Sequence, residues 1–160
     1  MTILPAPKRI RDVFADLLGR DVELTNAPEP VVPTLLQPCA VAVYVTDRVQ
    51  TGALVCADLG LAARAGAALA LIPPARADAA VEDRMLPHNL LENFHEVVNV
   101  FAGVFNVPTA PHVKLYAVHA PDQFPPRDVV AMLRRLTRRA DYSLYIDGYG
   151  HGRLGVVLPM

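Results

Sequence analysis

The most constraining feature of the sequence is a helical repeat of apolar residues between Pro87 and Phe105. Apolar side chains recur there at intervals of three and four, and this spacing places them on one flank of an α-helix. Pro87 suits the first turn of such a helix, because its fixed φ angle is already helical. The predicted core-facing residues are Leu91, Phe94, Val98, Phe101 and Phe105. The segment therefore predicts a long amphipathic helix with one flank in a hydrophobic core.

The segments around this helix predict a mixture of strands and further helices. Apolar and β-branched residues dominate 39–46 and 51–57, which predicts two strands joined by a hairpin loop. Asp58 can cap a following helix that runs through Ile72. The other predicted elements are helix 8–18, strand 22–24, connector 26–33, a helical turn within 75–84, strand 113–119, loop 120–126, helix 127–139, and strands 143–146 and 154–158 joined by the glycine-rich 148–152. This order predicts an α/β (α+β) fold with an antiparallel-rich sheet and helices covering a face.

Length and charge bound the organisation of the chain. With 160 residues, 52% of them apolar, the chain has the size and the core material of one domain. We predict a single domain over 1–160, in which 1–35 form an N-terminal helix and connector and 127–160 a C-terminal helix and hairpin. The 15 basic and 16 acidic residues leave a net charge of −1. Such a balance gives no overall field that would recruit nucleic acid or an anionic membrane.

The sequence also predicts a cytoplasmic protein without membrane insertion. No apolar run reaches the roughly 18–20 residues that a membrane-spanning helix needs. The two cysteines, Cys39 and Cys56, lie in strand-like apolar stretches, and their spacing is not that of a zinc or redox motif. We expect both to be buried thiols.

Three polar residues of the long helix, Glu92, Glu96 and Asn99, fall at positions i, i+4 and i+7 and thus on one stripe. Two carboxylates one turn apart repel each other by a few tenths of a kcal/mol, and asparagine is a mildly poor helix former. The pattern is therefore not explained by helix stability. A simple alternative is a solvated face on which Glu92 forms a capping box with Asn89.

A longer pattern gives these residues another meaning. The segment Glu92-x-x-x-Glu96-x-x-Asn99-Val100-Phe101-Ala102-Gly103, with Pro121 following Asn99 after 21 intervening residues, resembles the signature of the CheC/CheX/FliY family of chemotaxis phosphatases. The hairpin and helix over 41–72 also resemble that family, so the resemblance covers about half of the chain. In the family an Asp or Ser usually stands where this sequence has Glu92. Because the helix over 58–72 carries no Glu-x-x-Asn, the chain is similar to the one-site CheX rather than to CheC.

The resemblance implies a CheC-like fold, with an antiparallel-rich sheet and long helices packed on one face, and a specific activity. It implies hydrolysis of the aspartyl phosphate of a phosphorylated, CheY-like receiver domain. Asn99 would position the attacking water and Glu96 would pair with the receiver lysine, with Glu92 and Pro121 in supporting places. The protein would need no cofactor of its own, since the receiver binds the Mg²⁺ ion. The resemblance also leads us to expect a homodimer.

Two alternatives remain open from the sequence. The same fold could serve as a catalytically inactive dimerisation or scaffold module in signalling or the flagellar switch. A metal site is the second alternative, because His88, Glu92 and His95 also fall at i, i+4 and i+7. The segment His95–Asn99 matches the zincin motif H-E-x-x-H except at its last position. There Asn99 replaces the second histidine, and an amide is a poor zinc ligand.

Basic residues cluster in the predicted helix 127–139. They are Arg134, Arg135, Arg138 and Arg139, and they would form one basic edge. Such a run is typical of a solvated face, and the alternative is a docking surface for an acidic partner.

Overall fold

The computed structural model describes residues 2–136 and 138–159 and has one six-stranded sheet. In chain order the elements are α1 (Pro7–Leu18), β1 (Val22–Asn26), β2 (Cys39–Thr46), β3 (Thr51–Asp58), α2 (Leu59–Leu69), α3 (Pro74–Asp83), α4 (His88–Phe101), a 3₁₀ turn (Ala102–Val104), β4 (Val113–His119), α5 (Arg127–Leu133), β5 (Arg139–Ile146) and β6 (Gly150–Val157). The strand order is β1-β5-β6-β3-β2-β4, and every neighbouring pair is antiparallel. The prediction of an α+β fold with an antiparallel sheet is confirmed.

Alternate side chains of β2 enter two different hydrophobic cores. Ala42 and Tyr44 join the larger core, together with residues of α1, α2 and α4. Val41 and Val43 point to the opposite face, where α5 and Val31 of the connector between β1 and β2 cover them. A strand covered on both faces reads as a continuous apolar run, as β2 does. The long helices therefore lie on one face, and the other face is closed by the short α5 and the connector.

The two halves of the chain have a similar order of elements. The first half runs α1, β1, connector, β2, β3, followed by α2 and α3, and the second runs α4, β4, α5, β5, β6. The central pair is β3 with β6, one strand from each half. The outer strands are exchanged, because β1 pairs with β5 and β4 pairs with β2. Each half thus supplies an edge strand to the other.

The turn of the β5–β6 hairpin contains fewer glycines than the predicted loop over 148–152. The strands extend beyond 143–146 and 154–158, so the turn is Asp147–Tyr149, with Gly148 at φ +80°. Gly152 lies within β6, where a Cβ atom would stand 2.6 Å from the Cα of Leu61. Its role is the close approach of α2 to the sheet rather than a turn.

The helix predicted over 127–139 is wrong beyond Leu133. Arg139 begins β5 instead, and its guanidinium is buried, 2.7 Å from a carboxylate oxygen of Asp141. The same guanidinium donates to the carbonyls of Leu133 and Arg135, and to that of Val31 at 3.2 Å. The predicted basic edge is therefore split, because this arginine turns inwards and ties the connector to the sheet.

The helices around α2 depart from the sequence-based bounds in two ways. Asp58 caps α2 as predicted, accepting from the N–H groups of Leu61 at 2.8 Å and Arg153 at 3.0 Å. However, α2 ends at Leu69 rather than at Ile72, and α3 is a helix of ten residues where only a turn was predicted. Within the described ranges, no helix is both long and apolar enough to cross a membrane.

Both cysteines are free and buried on the face covered by α5, as expected.

Candidate functional site

The long helix α4 is rotated slightly from the predicted orientation. Its buried residues are Leu90, Phe94, Val97, Val98 and Phe101. Leu91, predicted to face the core, is only partly buried. The rotation follows from the contact with α2, where a Cβ atom on Gly66 would stand 2.5 Å from the carbonyl oxygen of Leu90. Asn93 donates to the carbonyl of Gly66 at 3.0 Å and fixes this contact.

The polar stripe of α4 points directly away from the core. Glu92, Glu96 and Asn99 are all exposed. At 3.6 residues per turn they lie within an arc of about 60°, opposite the buried flank. In the part of the chain that the structure describes, the side chains of Glu96 and Asn99 have no hydrogen-bond partner. Both side chains are therefore presented to solvent next to each other on a helix whose other side is anchored.

Glu92 has a different environment from Glu96 and Asn99. Its Oε1 lies 2.9 Å from Nε2 of His88, and both side chains are well exposed, at 66% and 83%. The predicted capping box is wrong, because the N-cap of α4 is Pro87 and no side chain caps the helix. An exposed pair of this kind contributes little to stability. Glu92 thus has a partner one turn towards the start of the helix.

The metal-binding alternative gains no support from the geometry. Over residues 2–136 and 138–159, no group of three or more His, Cys, Asp or Glu side chains is arranged to hold a metal ion. His88 and Glu92 instead contact each other directly.

A shallow cavity of about 310 Å³ lies beside the stripe, between α4 and the edge strand β4. It is lined by His88, Leu91, Glu92, His95 and Val118. Carbon atoms make up most of its lining surface, and the lining includes Glu92 but neither Glu96 nor Asn99. A protein that contacts the stripe would therefore also meet an apolar surface next to Glu92.

The C-terminal end of α4 is held by a residue that the sequence did not single out. The hydroxyl of Tyr44 donates to the carbonyl of Val98 at 2.6 Å, and this bond is buried. Arg9 of α1 donates to the carbonyl of Gly103 at 2.8 Å. No local pattern could have revealed the tyrosine contact, because its partners are 54 residues apart.

Comparisons with known proteins connect this arrangement to solved structures. No protein-family model and no curated protein sequence matches the chain. The FliM middle domain of Vibrio alginolyticus superposes with a TM-score of 0.59 at 12% identity, covering 96% of this chain and 88% of that one. FliY of Thermotoga maritima gives 0.54 at 15% identity, covering 93% and 81%. CheX in the CheX–CheY–BeF₃–Mg²⁺ complex of Borrelia burgdorferi gives 0.52 at 10% identity, covering 94% and 93%.

The chain has the CheC/CheX/FliY-type fold. The resemblance noted in the sequence is confirmed at the level of the fold, and it extends from about half of the chain to nearly all of it. At identities of 10–15%, the likeness does not carry over the activity of any of these proteins.

Within this CheC-like fold, Pro121 lies in the loop after β4, beside the connector between β1 and β2. It follows β4, whose last residue, His119, pairs with Val41. A cavity of about 270 Å³ joins Pro121 and its neighbour Phe124 to connector residues such as Pro33. Glu92, Glu96 and Asn99 thus share one exposed stripe of α4, and a supporting role for Pro121 stays a prediction.

Proposed function

We propose that this protein is a phosphatase for the aspartyl phosphate of a CheY-like receiver domain. The observation that carries the proposal is the outward presentation of Glu96 and Asn99, side by side and without intramolecular partners among the described residues, on a rigid helix of a CheC-like fold. A CheX of this fold occurs in a complex with CheY, BeF₃ and Mg²⁺. A receiver of that kind is the partner that the proposal requires.

The two residues would divide the chemistry between them. The amide of Asn99 can donate and accept hydrogen bonds at once, which suits it to hold a water molecule in line with the acyl-phosphate bond. The water oxygen bonds to phosphorus as the bond from phosphorus to the aspartyl oxygen breaks. The products are inorganic phosphate and the free receiver carboxylate. The carboxylate of Glu96 would pair with the receiver lysine and fix the register of the two proteins.

No nucleophile or metal of the phosphatase enters this reaction. The receiver supplies the phosphorylated aspartate and binds Mg²⁺, which neutralises charge on the transferring group. The phosphatase contributes positioning, for which a helix with a packed flank is a suitable platform. A homodimer, expected from the family resemblance, stays a prediction.

The test measures loss of phosphate from CheY-like receivers loaded with acetyl phosphate and Mg²⁺. The wild type should accelerate the decay, and Asn99→Ala should reduce the acceleration about 100-fold, as expected for loss of a positioned hydrogen-bonding group. Asn89→Ala is the matched control, because it removes an exposed asparagine from the first turn of the same helix. If the receiver phosphate decays as fast with Asn99→Ala as with the wild type, the assignment of Asn99 is refuted.

A non-enzymatic scaffold module is the second candidate. The observation in its favour is that the FliM middle domain superposes somewhat better than CheX, with TM-scores of 0.59 and 0.52. Such a module would bind a partner through the same fold without accelerating decay of the receiver phosphate. Failure of the wild type to accelerate any receiver would therefore favour this function.

A further inference from the structure

The helix that carries Asn99 changes its geometry one turn beyond that residue. At the end of α4, the N–H of Ala102 turns back to the carbonyls of Asn99 and Val100, and the 3₁₀ turn begins. In a continuous α-helix the same N–H would bond to the carbonyl of Val98. The carbonyl of Val98, the residue directly before Asn99, therefore lacks the hydrogen bond that a continuous helix would give it.

The carbonyl of Val98 receives its hydrogen bond from Tyr44 instead. The phenolic oxygen lies 2.6 Å from the carbonyl oxygen, and Tyr44 has no exposed surface. A buried carbonyl left without a donor would cost free energy, so this bond selects one position for the last turn of α4. Asn99 is attached to the carbonyl carbon of Val98. Its backbone is therefore tied to strand β2 of the sheet through a single hydroxyl.

The sheet itself is irregular where it places this hydroxyl. The pairing of β2 with β3 shifts register between Tyr44 and Val45, which leaves Gly52 as the extra residue. The pairing of β2 with β4 shifts between Val43 and Tyr44, which leaves Tyr116 as the extra residue. β-bulges redirect side chains, and here two of them flank one tyrosine. The distortion falls at the position that reaches α4.

Aromatic packing holds the ring of Tyr44 in this orientation. Its centroid lies 5.2 Å from that of Phe105, and Phe105 lies 5.8 Å from Phe101 in an edge-on arrangement. Burial raises the pKa of the Tyr44 phenol well above its usual range, so the hydroxyl keeps its proton at any pH used in an assay. The group therefore remains a donor to the Val98 carbonyl.

We propose that Tyr44 is a positioning residue for Asn99: its hydroxyl, bound to the Val98 carbonyl between two β-bulges, sets where the Asn99 amide stands when a receiver docks. The inference rests on the proposed phosphatase function and adds to it a residue that never touches the receiver. Loss of the hydroxyl should leave docking intact, because Glu96 is on the preceding turn. It should reduce the rate of the chemical step, because a misplacement of about 1 Å in a positioning group can lower such a rate severely.

The experiment compares Tyr44→Phe with Tyr149→Phe. The hydroxyl of Tyr149 makes the same type of bond, to the carbonyl of Ile72 at 2.7 Å, but beyond the end of α2 and away from α4. Both variants lose one hydroxyl-to-carbonyl hydrogen bond, so the urea midpoints of both should fall. Decay of receiver phosphate is measured over a range of receiver concentrations to separate kcat from KM.

For Tyr44→Phe we expect kcat to fall roughly tenfold with KM unchanged within about twofold. For Tyr149→Phe we expect neither constant to change. Equal kcat for Tyr44→Phe and the wild type would overturn the inference and leave the proposed function standing. An equal loss of kcat in both variants would also overturn it, because general destabilisation would then explain the effect. A wild type that accelerates no receiver would refute the proposed function and this inference together.

Discussion

Glu96 and Asn99 are neighbours on one helix, yet their side chains suit different steps. A carboxylate is a partner for a cation on a docking protein, whereas an uncharged amide can orient water without attracting that cation. Neither side chain is committed to an intramolecular bond in the described part of the chain. Both are therefore available to another protein at no cost in broken contacts.

This division predicts that substitution of Glu96 acts on affinity rather than on the chemical step. Glu96→Ala should raise KM for phosphorylated receiver about tenfold, the equivalent of one modest charge pair, with kcat little changed. The KM of the wild type should also rise with ionic strength more steeply than that of the variant. Salt screens the attraction between Glu96 and the receiver lysine, and the variant lacks this attraction. Steady-state decay assays at two salt concentrations measure both effects.

Glu29→Ala is the control for this experiment. It makes the same change of charge at an exposed position in the connector, two residues before Val31, which packs on the opposite face of the sheet. A rise in KM for Glu29→Ala equal to that for Glu96→Ala would mean that net charge, and not a specific pair, governs docking.

At the scale of elements, α2 begins at an aspartate that serves two elements at once. Asp58 accepts from Leu61 of α2 and from Arg153 of β6 with the same oxygen. Burial raises the pKa of this carboxyl, and the two backbone hydrogen bonds oppose the shift only in part. The folded protein therefore holds a proton on Asp58 more readily than the unfolded chain does.

The sign of the resulting pH dependence follows from this shift. Between the usual value of 3.8 and the higher pKa of the folded state, the folded protein binds more protons, so the contribution of Asp58 to the free energy of unfolding falls as pH rises. Asp58→Asn keeps an acceptor but cannot titrate. The free energy of unfolding of the wild type minus that of Asp58→Asn should therefore decrease as pH is raised from 3.8, as measured by urea denaturation.

Asp58→Ala is the companion variant, because it removes the acceptor as well as the charge. It should be about 1–2 kcal/mol less stable than Asp58→Asn at every pH, because neither variant titrates at this position and only the asparagine keeps a helix cap. A difference between wild type and Asp58→Asn that rises with pH would contradict the assigned direction of the pKa shift.

Elements with a strong local pattern were predictable from the sequence. The first helix ends at Gly19, which takes the left-handed conformation, and the strands at 39–46 and 113–119 have their predicted bounds. The helix predicted to run through 139 failed because Arg139 is bound to Val31, 108 residues away. No window of local sequence contains that contact.

In the candidate site, too, features set by local sequence were predictable and features set by contacts with distant segments were not. Periodicity sufficed to predict that Glu96 and Asn99 share an exposed stripe. It misplaced Leu91 in the core, because the final rotation of α4 is set by Gly66 of α2. The role of Tyr44 was beyond sequence reasoning for a similar reason, since it depends on two bulges formed with other strands.

At the scale of the whole molecule, the exchange of edge strands binds the two halves together. Because β1 and β4 each pair with a strand of the other half, and β3 pairs with β6 across the middle, three strand pairings cross the midpoint of the chain. The pairing of β4 with β2 is one of these three. Neither half contains a complete sheet by itself.

This arrangement predicts that the chain can be divided at the loop between α3 and α4 without losing the fold. Fragments 1–85 and 86–160 should be unfolded when produced alone, and they should purify together with the circular dichroism spectrum of the intact protein when produced jointly. The break falls among exposed residues such as Arg84 and Met85, where few contacts are lost.

Gly152→Val in the second fragment is the control, because its side chain would collide with the backbone of Leu61 in the first. It should prevent the fragments from associating. Independent folding of either fragment would show that the exchanged strands are dispensable.

The central position of β6 also bears on how the protein is made. Residues 150–157 form a middle strand, flanked by β3 and β5, although they are synthesised after every other strand of the sheet. Until they leave the ribosome, β3 has an open edge, and the apolar side chains of the nascent hairpin lack a neighbour. Such pairings between distant segments form slowly, and the waiting intermediate exposes surfaces that aggregate. We therefore expect nascent chains that stop before residue 150 to depend on chaperones.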